Sequence, residues 1–501
     1  MSSSSSNLPP VRVRFAPSPT GLTHLGSART ALYNYLLAHN TGGQFILRFE
    51  DTDSKRYDPQ AEDDLIDSLH WLGLQWDEGP DVGGPHAPYR QSERKAIYQE
   101  YAQQLIAQGD AFYCFCTPQE LDAARKEQLK NKENPHYPGT CRQLSPEEAQ
   151  ARVDAGESHV VRFKMPKAGS TTVVDYLRGE ITFQNENLDD TILIKSNGLA
   201  VYHLAAMVDD HLMGITHVFR GEEWVSTFPL HVRIYAAFGW QQPTWVHLSL
   251  FLKPEGKGKM SKRATEEMKQ LTGKSIFVQD MEAIGYLPEA VVNWIALMGW
   301  SYDGETEFFT LEDLVEKFSI DKLNPSSAAI NFKKLDHFNG LHIRSLTIED
   351  LAQRIKPFFV SAGYQPDDET LIEIAPLIQP RLVTLDEAPT WAGFFFETEV
   401  KPEAADLIPK GLDAAQSLDA AQRARDLIAT LPDFSHETAE QPMRDLAEEL
   451  GIKVGQLFGV LRIALTAQQV SPPLLESMQI IGRDTVLQRL DQASSLLEKM
   501  A

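Results

Sequence analysis

The chain has 501 residues, and its 47 basic against 70 acidic side chains give a formal net charge of −23. Nucleic acid therefore cannot be held by bulk charge, and any RNA has to meet a local basic face. Three cysteines exclude a disulfide scaffold and fit a reducing cytoplasm, 42% hydrophobic and 23% charged residues make an ordinary globular mix for two or more domains, and no apolar run reaches membrane-spanning length.

In chain order, Met1 to Pro10 has neither a basic region nor an apolar core and reads as a disordered tail with no targeting role. Val11, Val13 and Phe15 then alternate with Arg12 and Arg14, the period of a strand, which delivers Arg14 near its C-terminal end. Pro17, Pro19 and Gly21 stop the strand, with Ala16, Ser18 and Thr20 between them, and helical spacing starts at Ala28, Leu32, Tyr35 and Leu36. His24, Gly26 and Ser27 thus sit at a helix start, where free N–H groups and the dipole favour an anion. Read alone, this is an ordinary strand-to-helix connection and His24 a capping residue.

Gly42 and Gly43 end the helix, and Gln44 to Glu50 reads as the next parallel strand, so that Glu50 lies at the edge where open α/β sheets bind ligands. Helical patterns follow at Ala61 to Leu72 and Tyr89 to Gln108. From about Phe112 to Ser196 the βαβ rhythm is interrupted, which marks an insertion. Within it Cys114 and Cys116, two apart on a strand, point to one face and can chelate one metal, with Cys141 returning from a loop. Three ordinary, partly buried thiols are the alternative. The α/β pattern resumes with Thr191-Ile-Leu-Ile, then a helix opened by Tyr202 and a strand closed near Arg220. Two guanidiniums, Arg14 and Arg220, suffice to hold a carboxylate against its own hydration. A buried ion pair of Arg220 with Glu222 or Glu223 is the structural alternative. Gly256-Lys-Gly-Lys-Met-Ser-Lys-Arg263, loosened by two glycines, reads as a loop suited to closing cations over a polyphosphate; taken alone it is a solvated basic loop or a nonspecific RNA patch. Beyond it the composition turns strongly helical, from Leu346 onward no strand pattern is convincing, and no internal repeat stands out.

Pro17-Ser-Pro-Thr-Gly-Leu-Thr-His-Leu-Gly26, together with Lys259-Met-Ser-Lys-Arg263, resembles the two ATP signatures of class I aminoacyl-tRNA synthetases. With Arg14 before and Phe49-Glu-Asp-Thr-Asp53 after, the wording is similar to that of bacterial-type glutamyl-tRNA synthetases. The second histidine of the general class I signature is Ser27 here. The resemblance implies an α/β, Rossmann-type doubly wound parallel sheet with an inserted α+β subdomain, followed by all-α domains. The expected division is a tail at 1–10, catalytic halves at 11–111 and 197–265, an inserted acceptor-binding subdomain at 112–196, a helical stem-contact domain at 266–340 and a helical anticodon-binding domain at 341–501.

It further implies a cytoplasmic, monomeric enzyme that activates L-glutamate with ATP and Mg²⁺ and transfers it to the 3′ end of tRNA(Glu), with tRNA bound before the first step. His24, Lys259 and Lys262 carry catalysis. Pro17, Ser18, Thr20, Gly21, His24, Gly26, Ser27, Lys259, Met260, Ser261, Lys262 and Arg263 hold ATP. Arg14, Ala16, Ser18, Glu50, Tyr202 and Arg220 hold glutamate, Glu50 through the amino group. A contact position that is asparagine in some relatives is Ala206. Some relatives bind structural zinc through a tyrosine placed as Tyr137 is, which would complete Cys114, Cys116 and Cys141; the position that is histidine in others is Gln143, and His136 is a substitute ligand. Arg381 lies where some members read the last anticodon base, although by itself it reads as a solvated surface arginine.

Rival readings are separable. A shortened glutamyl-Q type enzyme lacks the helical region after Leu341; a glutaminyl enzyme differs at Ser18 and Thr20 and has no need of two arginines. An inactive RNA-binding relative has no reason to keep His24, Lys259, Lys262, Arg14 and Arg220 together, and a small-molecule nucleotidylyltransferase has no use for so long a helical tail.

Overall fold

A computed structural model describes residues 10–53, 56–258, 260 and 262–501, with only the helical backbone at Lys262, Arg263 and Ala264. The opening tail, Lys259, Ser261 and the side chains of Lys262 and Arg263 thus lie outside the described residues. The chain divides into two units: residues 1–282 with 291–332, and residues 283–290 with 333–501.

The first unit is built on a four-stranded parallel sheet. Strand β1 (Arg12–Phe15) is followed by helix α1 (Leu25–Thr41) and β2 (Gln44–Leu47), which returns beside β1 in the register Arg12 to Gln44. Gly42 ends α1 at φ 64°, a left-handed conformation that glycine adopts without a Cβ penalty. Helices α2 (Pro59–Trp71) and α3 (Lys95–Gln108) follow. The chain then leaves this sheet. β3 (Ala111–Cys114), α4 (Pro118–Lys130), α5 (Pro146–Asp154), β4 (Val160–Phe163), the ribbon of β5 (Ser170–Asp175) and β6 (Gly179–Gln184), and β7 (Ile192–Ile194) make up the insertion, with β3, β4 and β7 antiparallel. The run Thr191-Ile-Leu-Ile therefore closes the insertion's own sheet rather than resuming the parallel one.

The parallel sheet resumes with α6 (Tyr202–Leu212), β8 (His217–Gly221), α7 (Phe228–Phe238) and β9 (Thr244–Leu248), giving the order β2-β1-β8-β9. Strand β1 has β2 on one side and the much later β8 on the other. The order reverses there, and the crevice outside the C-terminal ends of β1 and β8 is where such a sheet accepts a ligand. Val13, Phe45, Ile46, Val218, Phe219 and Val246 are fully buried, as strands covered on both faces must be. Helix α8 (Lys262–Thr272) follows the cationic loop. The chain after it is tied back to the first turn: Leu25 N–H donates to Ile276 O at 2.9 Å and Val278 N–H to Thr23 O at 3.0 Å.

The second unit is helical. One core gathers Leu351, Ile355, Phe359, Leu371, Ile374 and Ile378. Another gathers Ala420, Ala424, Leu457, Leu461, Leu490 and Leu497, where the helices Ala414–Thr430 and Arg483–Glu498 pack along each other.

Candidate active site

Arg14 and Arg220 are the last residues but one of β1 and β8, and both side chains are buried. They open on one cavity of about 740 Å³ at the C-terminal edge of the sheet. The cavity brings together every expected substrate residue that is described: Arg14, Ala16, Pro17, Ser18, Thr20, Gly21, His24, Gly26, Ser27, Glu50, Tyr202, Arg220 and Met260. Lys259, Ser261 and the side chains of Lys262 and Arg263 are not described there, although Met260 N–H bonds Phe251 O at 3.1 Å.

The two arginines are held in opposite ways. Arg14 donates from Nε to Asp210 Oδ1 at 2.9 Å and from Nη2 to Asp210 Oδ2 at 3.2 Å. Arg48 shares the same carboxylate at 2.9 Å, while Asp209 beside it takes Arg94 at 2.7 Å and Tyr98 at 2.8 Å. This buried network under the cavity fixes Arg14 in place. Sequence reasoning missed it. The adjacent acids Asp209 and Asp210 near the end of a mostly apolar helix are its only local sign, because a carboxylate in such a setting needs a buried cation.

Among the described residues Arg220 pairs with no carboxylate, neither Glu222 nor Glu223. Its Nε donates to His247 Nε2 and its Nη1 to His231 Nδ1, both at 2.9 Å. An arginine has only donors, so both imidazole nitrogens accept and both rings are neutral on that side. Burial pushes the Arg220 guanidinium below its usual range, against the pull of the Tyr202 hydroxyl, and pushes both histidines down as well. Arg220 Nη2 is buried without a hydrogen-bond partner among the described residues. Such a donor is available to an acceptor on a bound ligand.

Glu50 lines the same cavity, with Arg48 3.4 Å away. Burial raises its carboxyl to about 7, against the pull of Arg48 and Arg14. Tyr202, the first residue of α6, packs against Trp224 with ring centroids 4.0 Å apart and planes tilted by 30°, and both line the cavity. Trp224 was not singled out from the sequence. Ala206 is fully buried, so the contact some relatives make there has no polar group in this chain.

His24 combines its two readings. Its Nδ1 accepts from the N–H groups of Gly26 and Ser27 at 3.0 and 3.3 Å, which makes it the N-cap of α1. Nδ1 thus carries no proton, and the ring's N–H is at Nε2. A Cβ on Gly26 would lie 2.9 Å from the His24 ring, so glycine here makes room for the capping imidazole.

Away from this cleft, the sulfurs of Cys114, Cys116 and Cys141 lie within 4.8 Å of one another, although β3 ends at Cys114 and Cys116 lies beyond it. Tyr137 Oη is 3.4 Å from Cys114 Sγ and 3.9 Å from Cys116 Sγ. The two sulfurs of Cys116 and Cys141 are 3.7 Å apart. Tetrahedral zinc about 2.3 Å from each sulfur requires a spacing of about 3.8 Å, so the donor set fits. His136 is exposed and turned to Asn134 O at 3.0 Å, so it is not the fourth donor. In the second unit Arg381 lies 5.3 Å from the centroid of Trp391, partly exposed.

Comparison with known proteins bears on the same residues. Residues 10–337 match the family model of the catalytic domain of class I tRNA synthetases (E and Q), and residues 350–494 match an anticodon-binding domain. The chain is 46% identical to the glutamate–tRNA ligase of Roseiflexus castenholzii over 97% of both chains. The chain belongs to the glutamate–tRNA ligase family of class I tRNA synthetases. Another glutamate–tRNA ligase, from Chloroflexus aurantiacus, is 45% identical over 98% of this chain and 99% of its own. The crystal structure of a glutamate tRNA ligase from Elizabethkingia meningosepticum, in complex with its amino acid, superposes with a TM-score of 0.89 at 35% identity, covering 98% of this chain and all of that one. Family membership accounts for the helical second unit, which a glutamyl-Q type enzyme would lack.

Proposed function

We propose that this cleft performs the ATP-dependent ligation of L-glutamate to the 3′ end of tRNA(Glu), the reaction of the family, with the following roles for its residues. The observation that supports it best is the pair of buried guanidiniums, Arg14 and Arg220, at neighbouring strand ends of one cavity whose rim is the His24 helix start. Two forks receive the substrate's side-chain carboxylate, and Arg220 brings an unsatisfied Nη2. Glu50 receives the ammonium group, and the Tyr202 ring closes the wall.

The substrate's α-carboxylate attacks the α-phosphorus of ATP, giving glutamyl-adenylate and pyrophosphate. A hydroxyl of the terminal ribose of tRNA then takes the acyl group and releases AMP. No covalent enzyme intermediate is required, so catalysis is positioning and charge stabilisation. His24 donates from Nε2 to the phosphates, because Nδ1 is committed to Gly26 and Ser27. The backbone of the Pro17 to Ser27 turn cradles ATP, to which Mg²⁺ is bound. Lys259 and Lys262 neutralise charge developing toward pyrophosphate, and Met260, Ser261 and Arg263 help to hold ATP.

Cys114, Cys116, Cys141 and Tyr137 hold a zinc ion whose part is structural, pinning the loop of residues 137–141 to β3. Arg381, beside Trp391, meets an anticodon base. The enzyme works as a cytoplasmic monomer with the domain division given above. Charging of purified tRNA(Glu) with glutamate, and not with glutamine, tests the reading; charging with glutamine alone would overturn the pocket assignment.

A further inference from the structure

Arg220 and His247 are register partners on the neighbouring parallel strands β8 and β9, so their side chains project from the same face of the sheet. His231, on α7, takes the Nη1 of Arg220. Each imidazole is in turn fixed by a second partner. His247 donates from Nδ1 to Asp175 Oδ2 at 2.7 Å, and His231 donates from Nε2 to His203 Nδ1 at 2.9 Å. Asp175 sits at the end of β5, where its carboxylate also accepts the backbone N–H groups of Leu177, Arg178 and His247. The turn of the inserted ribbon therefore sets which nitrogen of His247 carries the proton.

The electrical consequence differs from that at Arg14. A carboxylate such as Asp210 both orients a guanidinium and cancels its charge, whereas a neutral imidazole acceptor orients it and cancels nothing. We propose that His247 and His231 are specificity-determining positioning residues, a charge-neutral clamp that aims Arg220 while leaving its positive charge for the substrate's side-chain carboxylate. An uncharged amide in the same place leaves that buried charge unpaired, which penalises glutamine. Asp175 acts behind His247 by holding the accepting tautomer. This inference rests on the proposed glutamate site and adds to it the origin of its charge selectivity.

The test is His247→Glu, which supplies an acceptor near the position of Nε2 but brings a negative charge with it, compared with His247→Gln, which supplies a neutral acceptor. Glutamate-dependent ATP–pyrophosphate exchange is measured with tRNA present, together with the KM for ATP. In His247→Glu the KM for glutamate should rise on the order of 50-fold, as for loss of a charge-assisted hydrogen bond, and the preference for glutamate over glutamine should fall by a similar factor. The KM for ATP should stay within about twofold, and His247→Gln should return the glutamate KM to within about fivefold of wild type. If His247→Glu does not fold, His231→Asp, which places a carboxylate near the position of Nδ1, should show the same split. A glutamate KM unchanged in the charged variant, or equal damage from His247→Gln, overturns the clamp. Absence of glutamate-dependent exchange in the wild type overturns the clamp and the functional reading together.

Discussion

Asp210 grips Arg14 through both carboxylate oxygens, Nε to Oδ1 at 2.9 Å and Nη2 to Oδ2 at 3.2 Å, and the same Oδ1 takes Arg48 at 2.9 Å. Burial raises the Asp210 carboxyl, and the two guanidiniums outweigh it, so its net shift is downward. A neutral amide in its place leaves two buried cations short of a counter-charge. Asp210→Asn should therefore destabilise the protein by about 3–5 kcal/mol, the range for breaking a buried ion pair, and raise the glutamate KM. Urea unfolding checks the first part. A loss below about 1 kcal/mol would mean the network relaxes around the change.

Glu50 gives a pH signature. Its carboxyl is raised by burial from the ordinary 4.5 to about 7. Only the ionised form receives the substrate's ammonium group, so the glutamate KM should fall as pH rises from 6 to 8, with about a tenfold change per unit below pH 7. Glu50→Gln should raise the KM and flatten this profile. The stability sign is the reverse: the folded state binds this proton more tightly than the unfolded chain, so the contribution is complete below about pH 4.5 and is lost as pH rises through about 7. Denaturant midpoints of wild type and Glu50→Gln across that window check it.

His24 separates capping from catalysis. His24→Ala removes the acceptor for two N–H groups and should cost about 1 kcal/mol and about 10²–10³ in exchange rate. In His24→Asn the side-chain oxygen takes the place of Nδ1. Its thermal midpoint should return toward wild type while exchange stays low. Recovery of both in His24→Asn would reduce the residue to a cap.

The sulfur spacing of 3.7 Å between Cys116 and Cys141 leads to a metal content near one zinc per chain by elemental analysis. Cys141→Ser should release it and lower the thermal midpoint of the protein. A purified protein with less than about a tenth of an equivalent of any soft metal would leave the cluster as three thiols.

The first turn is legible in the sequence because its chemistry is local: alternation puts Arg14 on a strand, prolines stop it, and His24 falls at the helix start. Arg220 is legible as a strand-end residue, but its partners are not. His247 and His231 come from elements 27 and 11 residues downstream, and nothing in the spacing of the chain announces that two strands will bring Arg220 and His247 into register. The same holds for Asp210, whose partner Arg14 is 196 residues away. The run Thr191-Ile-Leu-Ile reads as part of the wrong sheet because a short apolar strand looks alike in parallel and antiparallel company. Cys116 illustrates the opposite case: it lies outside β3, yet the loop still brings its sulfur to the cluster.

Arg220, whose charge no directly bonded carboxylate among the described residues cancels, makes this cleft a glutamate site. The most direct test is ATP–pyrophosphate exchange with each amino acid, with and without tRNA, in wild type and Arg220→Ala. Exchange is expected with glutamate and no other amino acid, only with tRNA present, and at least about 10²-fold lower in Arg220→Ala by loss of a charged fork. Exchange with glutamine, or glutamate exchange undiminished in Arg220→Ala, would contradict this assignment.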